Sequence, residues 1–302
     1  MEVCVRMKTR EFIITQTLAH FVCGLFSLLA VLPFALLFIA SFTNESWAVT
    51  NGYSYFPKEW SLEAYKYIAV KWGMIGRSYL MSLAVTAVGV AMSLAMTTLF
   101  AYATSQTDVP GMRMISFILL FTMLFNGGLV SYYYSFVKFY HLKDTFWAQV
   151  VPGLMGAFNV ILVRNYFRSS IPASLTEAAR LDGASEFGIY FRIVMPLSQP
   201  IVATIGMLVG LGYWNNWTNG FYFLTGRNGS KYYTLQNVLN NLNTNIELLK
   251  KSTSEINMGK VFFPGNTVRM AIAVIGVVPV MALYPFFQKY FVKGITLGGV
   301  KE

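Results

Sequence analysis

The sequence predicts an all-α, polytopic membrane protein with six transmembrane helices and one long polar loop between two of them. Three observations carry this. Of 302 residues, 55% are hydrophobic and only 12% charged, against about 25% charged in an ordinary soluble domain. The apolar residues collect into six blocks, each near or above the roughly 20 residues a helix needs to cross a bilayer core. The polar stretch "SLTEAARLDGASEFGIYFRIVMPLSQP", Ser174 to Pro200, then separates the fourth block from the fifth.

The first block, Leu18–Phe42, follows Arg6, Lys8 and Arg10. It is too long for the 7–15 residue core of a signal peptide, so it is read as a retained span. His20 is the ionisable residue inside it, read as interfacial rather than as a proton relay. The second and third blocks are Ser78–Thr104 and Met114–Val137, joined by a short link. The fourth is Thr145–Val163. The fifth, Ile201–Leu224, contains Gly206, Gly210 and Gly212, which permit close helix approach. The sixth is Met270–Phe287, where Pro279 and Pro285, like Pro33 in the first block, are expected to kink the span.

These blocks form one membrane domain, residues 18–287, flanked by tails 1–17 and 288–302. Its long connections are 43–77 and 225–269 on one side and 164–200 on the other. No internal repeat is visible. An even number of spans puts both ends on one side, but the 23 basic residues divide almost equally between the two sides, so charge bias does not orient the chain. Cys4 and Cys23 offer neither a disulfide framework nor a metal spacing. The net charge of +10 fits anionic lipid headgroups and an acidic partner surface rather than nucleic acid.

The polar module has its own punctuation. Ser174 and Glu177 have capping-box spacing, predicting a helix from about Leu175 to Leu181. Asp182-Gly183 then suits a left-handed helix end. Ser185 can cap a second helix, Glu186 to about Met195, with Phe187, Tyr190, Phe191 and Val194 on one face; Pro196 and Pro200 interrupt it. Such a helix can lie in lipid headgroups. The Ala178-Ala179 pair instead keeps the first helix slim, a shape suited to a groove in another protein.

Glu177-Ala178-Ala179, followed by Gly183, Ile193 and Pro196-Leu197, resembles the EAA motif of permease subunits of ATP-binding-cassette (ABC) importers. The form "EAARLDGAS" resembles the carbohydrate-uptake permeases, in the subgroup related to the smaller permease of the maltose transporter. The ending "QKYFVKGITLGGVKE" resembles the same subgroup, and "FNGGLVSYYYSFVKF" with "LKDTFWAQVVPG" resembles permeases for oligosaccharides or polysaccharide fragments. The resemblance implies that the module is a cytoplasmic coupling helix seated in a groove of an ATPase. Both termini would then face the cytoplasm of a bacterial cell, with 43–77 and 225–269 outside. Glu177, Ala178, Ala179, Asp182 and Gly183 would contact the ATPase or shape the contact. Gly294, Thr296, Gly298 and Lys301 in the tail would reach toward the ATPase dimer. The implied partners are a second homologous permease, two copies of an ABC ATPase and an extracellular solute-binding protein. ATP and magnesium would sit on the ATPase, with no cofactor in this chain.

The chain has no G-x-x-x-x-G-K-[ST] phosphate loop; "GRNGSK", from Gly226, has the wrong spacing. An ion-coupled secondary carrier should place ionisable residues inside its spans, and a passive channel leaves the module unexplained. A permease for a polyol or glycerol phosphate is the nearest alternative. No residue is read as catalytic. For a sugar path the composition points to Trp214, Asn215, Asn216, Trp217, Asn219 and Tyr222 in "GYWNNWTNGFYF", and to Asn126, Tyr132 and Asn159. Interfacial anchoring and helix packing would select the same residue types. "LQNVLNNLNTNIELLKK" offers a short helix in either a solvated loop or a docking surface.

Overall fold

The computed structural model describes residues 10–106, 109–242, 244 and 265–299, with side chains at 12–106, 109–242, 244, 265–283 and 285. Every regular element among them is helical, joined by one isolated antiparallel bridge between Thr43 and Trp60. In order the helices are α1 (Arg10–Ser41), α2 (Glu45–Asn51), α3 (Glu63–Val70), α4 (Trp72–Ser105), α5 (Met112–Leu124), α6 (Gly128–Tyr134), α7 (Trp147–Val150) and α8 (Ala157–Ser170). They continue as α9 (Ala173–Leu181), α10 (Glu186–Ile189), α11 (Met195–Leu197), α12 (Gln199–Trp214), α13 (Thr218–Phe223), α14 (Gly226–Ser230) and α15 (Asn266–Gly299). Residues 235–242, the start of the asparagine-rich stretch, are also helical.

Three helices are individually long and apolar enough to cross a membrane: Phe12–Ser41, Trp72–Ser105 and Asn266–Leu283. The other blocks are broken. The third divides into α5 and Gly128–Phe139, bent by 118°, because Gly128 takes φ +80° and Asn126 Oδ1 accepts its N–H at 2.8 Å. The fourth bends by 52° between Trp147–Gly153 and α8, around Pro152, Gly153 and Gly156. In the fifth, α12 stops at Trp214 and a new helix starts at Thr218; Glu186–Leu197 meets α12 at 81°. Six spans follow only if each bent pair counts as one. Glycine and proline, tolerated where neighbouring groups re-satisfy the backbone, mark the breaks at Gly128, at Pro152 and Gly156, and between Pro196 and Pro200, whereas the break after Trp214 falls on Asn215, Asn216 and Trp217. The outer two blocks need less correction: α1 and α15 contain Pro33, Pro279 and Pro285 without interruption. The helix α15 also runs on through Gly294, Thr296 and Gly298, so the expected tail is helical backbone there; Lys301 lies outside the described residues.

The chain forms two compact units. The first, residues 1–71 with 246–275, contains α1 to α3 and the first turns of α15. Asn44 caps α2 by accepting from the Ser46 and Trp47 N–H groups. The nearly fully buried Glu45 accepts from the N–H of Asn266 at 3.0 Å and of Thr267 at 2.8 Å, placing a carboxylate on the positive end of α15.

The second unit, 72–245 with 276–302, is organised by α4, against which α8 and α12 pack around fully buried Ala101, Val160, Val163 and Ile205. The close approach is at Gly89: a Cβ there would lie 2.6 Å from the Tyr213 ring, whose Oη donates to the Val150 carbonyl at 2.7 Å. Gly206 and Gly210 face α4, opposite Leu94 and Val90, whereas a Cβ at Gly212 would meet nothing within 4 Å among the described residues.

Candidate functional site: the module from Ala173 to Leu197

Pro172, extended at φ −61° and ψ 128°, stands at the N-cap of α9, and no side chain caps the helix. Ser174 is therefore already inside the helix, and the expected capping box does not form. Proline fixes its own φ and lets the helix start directly after it, two residues earlier than the Ser174 reading, with its first turn open to solvent. The other end follows the sequence reading. Gly183 takes φ +80°, Ala184 N–H donates to the Ala179 carbonyl at 2.9 Å and Gly183 N–H to Arg180 at 3.0 Å, the paired bonds of a Schellman end. Two residues on, Ser185 Oγ accepts from Gly188 N–H at 3.2 Å, so one helix closes and the next opens within a four-residue corner.

That corner is tied to the end of α4. Arg180 Nε donates to Glu186 Oε1 at 2.7 Å and its Nη2 to Gln106 Oε1 at 2.8 Å. Tyr102 Oη donates to Glu186 Oε2 at 2.6 Å. The bonds from Arg180 and Tyr102 hold the Glu186 carboxyl below the usual carboxylate range. Arg168, in the last turn of α8, donates to the Thr104 and Ser105 carbonyls at 3.0 and 3.1 Å, satisfying the orphan acceptors at the end of α4. The sequence reading missed Tyr102, Gln106 and Arg168. A basic residue in the last turn of a helix is the signal that could have found the last of them.

The two faces of α9 differ. Ala179 packs on the main core, whereas Glu177 and Ala178 are exposed and Leu181 is 90% exposed. Leu175, Ala178 and Leu181 thus give the helix an outward apolar stripe. In the following segment the expected single face splits. Tyr190 and Val194 are buried, with Tyr190 Oη 2.7 Å from Thr98 Oγ1, while Phe187 and Phe191 are 70% and 61% exposed. Residues Tyr190–Val194 form a π turn, whose extra residue per turn defeats the 3.6-residue spacing argument.

The residues proposed for a sugar path form a second locus, but most of their polar groups are already used. Trp214 is buried, its Nε1 donating to the Gly276 carbonyl at 2.9 Å. It borders an apolar cavity of about 390 Å³ with Val90, Gly210 and Pro279. Asn216 Oδ1 caps α13 by accepting from Asn219 N–H and Thr218 Oγ1. Asn219, also buried, donates to the Gln149 carbonyl at 3.3 Å. Asn126 caps α6, as described above, and Asn215 Oδ1 accepts from Gln236 at 3.5 Å. Tyr132 donates to the Pro152 carbonyl at 3.3 Å and packs with Tyr133 and Phe136 around the fully buried Phe223. Asn159 and Tyr222 are half-buried and Trp217 is 41% exposed. The structure therefore brings Trp214 to Tyr222 together as one corner, in which Asn215, Trp217 and Phe221 are exposed and Tyr222 is half-buried. Gln149 and Asn237, which the sequence reading did not single out, join this corner: Gln149 Nε2 donates to Asn237 Oδ1 at 2.8 Å, and Asn237 Nδ2 to the Trp217 carbonyl at 2.7 Å.

Residues 109–297 match the family described as binding-protein-dependent transport system inner membrane component. The chain is 37% identical over 277 residues to a polygalacturonan/rhamnogalacturonan transport system permease protein of Bacillus subtilis (strain 168), covering 92% of this chain and 94% of that one. It is 28% identical over 212 residues to a trehalose/maltose transport system permease protein of Thermococcus litoralis, covering 69% of each. Among solved structures it is similar to a chain of a bacterial ABC transporter involved in the import of the acidic polysaccharide alginate. The TM-score is 0.77 and the identity 30%, with 95% of this chain and 100% of that chain covered.

Proposed function

The chain belongs to the binding-protein-dependent transport system inner membrane component family, and on that footing we propose how its parts divide the work of an importer. It is the permease component of a carbohydrate ABC importer, a membrane subunit that acts with an ATPase, a solute-binding protein and a second permease. In our reading two copies of the ATPase serve one heterodimer of permeases, and ATP and magnesium are held on the ATPases. This chain makes and breaks no covalent bond. The Ala173–Leu197 module and both termini face the cytoplasm, and residues 43–77 and 225–269 face outward. The cargo is an oligosaccharide, in keeping with the polysaccharides in the names of its relatives.

One observation carries this reading: α9 turns an apolar stripe outward while its base is fixed to α4. Closure of the ATPases pushes on Leu175, Ala178 and Leu181. The Arg180–Glu186–Tyr102 bonds pass the displacement to α4, and buried Ile189, Tyr190 and Val194 pass it to the helices packed on α4. Packed elements respond to such a push by moving as bodies between discrete arrangements. The exposed ring of Trp217 and the half-buried ring of Tyr222 are our candidates for contact with sugar faces. The test is uptake of labelled oligosaccharide into proteoliposomes containing the assembled subunits. Uptake should require ATP and the ATPase and be indifferent to ionophores. Uptake that ionophores abolish and ATPase removal spares would overturn the reading.

A further inference from the structure

We propose that the recess between the first turns of α4 and the segment 227–242 binds the carboxylates of an acidic oligosaccharide, through Arg77, Arg227 and Lys231. The inference rests on the importer reading above, which puts this recess on the outer side of the membrane.

The recess holds about 690 Å³, within the roughly 300–1,000 Å³ of small-molecule sites. Its walls are tied together. Leu235 N–H donates to Ser82 Oγ on α4 at 2.8 Å. Asn237 Oδ1 accepts from Thr234 N–H at 3.1 Å, while its amide holds the Trp217 carbonyl. Asp144 accepts from Thr225 N–H and Oγ1, fixing the start of the segment that carries Arg227 and Lys231. The site therefore exists before any ligand arrives.

Its charge is one-sided. Among the described residues no carboxylate lines it, and the ion pair found among them is Arg180–Glu186, in the other functional locus. Arg77, Arg227 and Lys231 are all exposed, and Lys231 lies 5.1 Å from the centre of the Tyr232 ring. Three cations around one hollow repel one another, and a ligand that neutralises them relieves that repulsion. In that reading the three cations stand on the outer side, where an acidic solute arrives.

The remaining lining selects a sugar acid over a bare anion. The half-buried Tyr233 contributes an aromatic ring and Asn241 an amide, the mixture that meets the faces and hydroxyls of a pyranose. Guanidinium pairs carboxylate through two parallel hydrogen bonds. A uronate oligomer supplies one carboxylate per residue, and so can engage several cations at once.

The test is binding of trigalacturonate, and separately of its methyl ester, to the purified permease–ATPase complex in nanodiscs of neutral lipid. Wild type should bind the acid and not the ester. Arg77→Gln, Arg227→Gln and Lys231→Gln combined should weaken binding of the acid about tenfold or more, with basal ATP hydrolysis confirming assembly. Single variants give the same readout if the triple variant fails to assemble. Equal binding of acid and ester, or acid binding unchanged in the variants, overturns the proposal, as does displacement of the acid by anionic lipid. ATP-dependent uptake of neutral oligosaccharide alongside any of these results leaves the importer reading standing while the recess falls. Loss of ATP dependence with acid binding intact does the reverse.

Discussion

Tyr102, near the end of α4, donates a 2.6 Å hydrogen bond to Glu186, the first residue after the corner that follows α9. The carboxylate that receives it also receives Arg180 at 2.7 Å. One acidic side chain thus joins a helix of the membrane domain to the helix that meets the ATPase in our reading, and neither side needs a buried ion pair to do so.

If this junction transmits force, Glu186→Gln or Tyr102→Phe should lower uptake per ATP hydrolysed by roughly three- to thirtyfold. The cost in stability should stay small, because the pair is exposed and such pairs contribute little. Parallel measurement of transport and ATPase rates in proteoliposomes decides it; an unchanged ratio removes Glu186 from the transmission path.

Gly183→Val forces a branched residue into φ +80°, a strain of about 1–2 kcal/mol, at the point where α9 ends. Copurification of the ATPase should fall while membrane insertion is retained. Glu177→Ala, whose exposed side chain supports nothing within the fold, should do the same through the contact itself. Normal recruitment and uptake in both variants would sink the docking assignment.

Gly89→Ala should destabilise the purified subunit by about 1–3 kcal/mol, since its new Cβ meets the Tyr213 ring. Gly212→Ala, facing open space, should be neutral. Thermal unfolding in detergent compares them directly, and equal melting of the two variants contradicts the packing described.

Trp214 and Trp217 should behave differently although two residues separate them. Trp214→Ala removes a buried ring and the bond to Gly276, a loss of about 3–5 kcal/mol, and should appear as poor assembly. Trp217→Ala should leave assembly intact and alter the affinity or selectivity of uptake. Unchanged transport kinetics for the second variant would take Trp217 out of the sugar path.

These contrasts track what the sequence could and could not disclose. The long apolar blocks around α1, α4 and α15 were legible because hydrophobic length is a local property. The end of α9 was legible because only glycine readily takes the conformation at 183. The breaks at Asn126–Gly128 and after Trp214 were not, since the few polar residues and glycines there sit inside blocks whose average composition stays apolar, and length with hydropathy does not show where the backbone turns. The π turn at Tyr190 displaced two aromatic residues from the face assigned by regular spacing. The amides of Asn216 and Asn219 looked free in one dimension. Only the fold shows that they are spent on a helix start and on the carbonyl of Gln149, 70 residues away. Gly89 drew no notice because its reason, Tyr213, lies far along the chain.

Glu45 sets an order on the making of the protein. Its carboxylate is enclosed by backbone donors that belong to residues 266 and 267, more than 200 positions later in synthesis. Until the ribosome has reached those positions, the neighbourhood of Asn44 to Asn51 lacks the partners of its acidic group. Completion of that early segment therefore waits for residues 266 and 267 of 302, and a product truncated before them carries its defect near its beginning rather than at the cut.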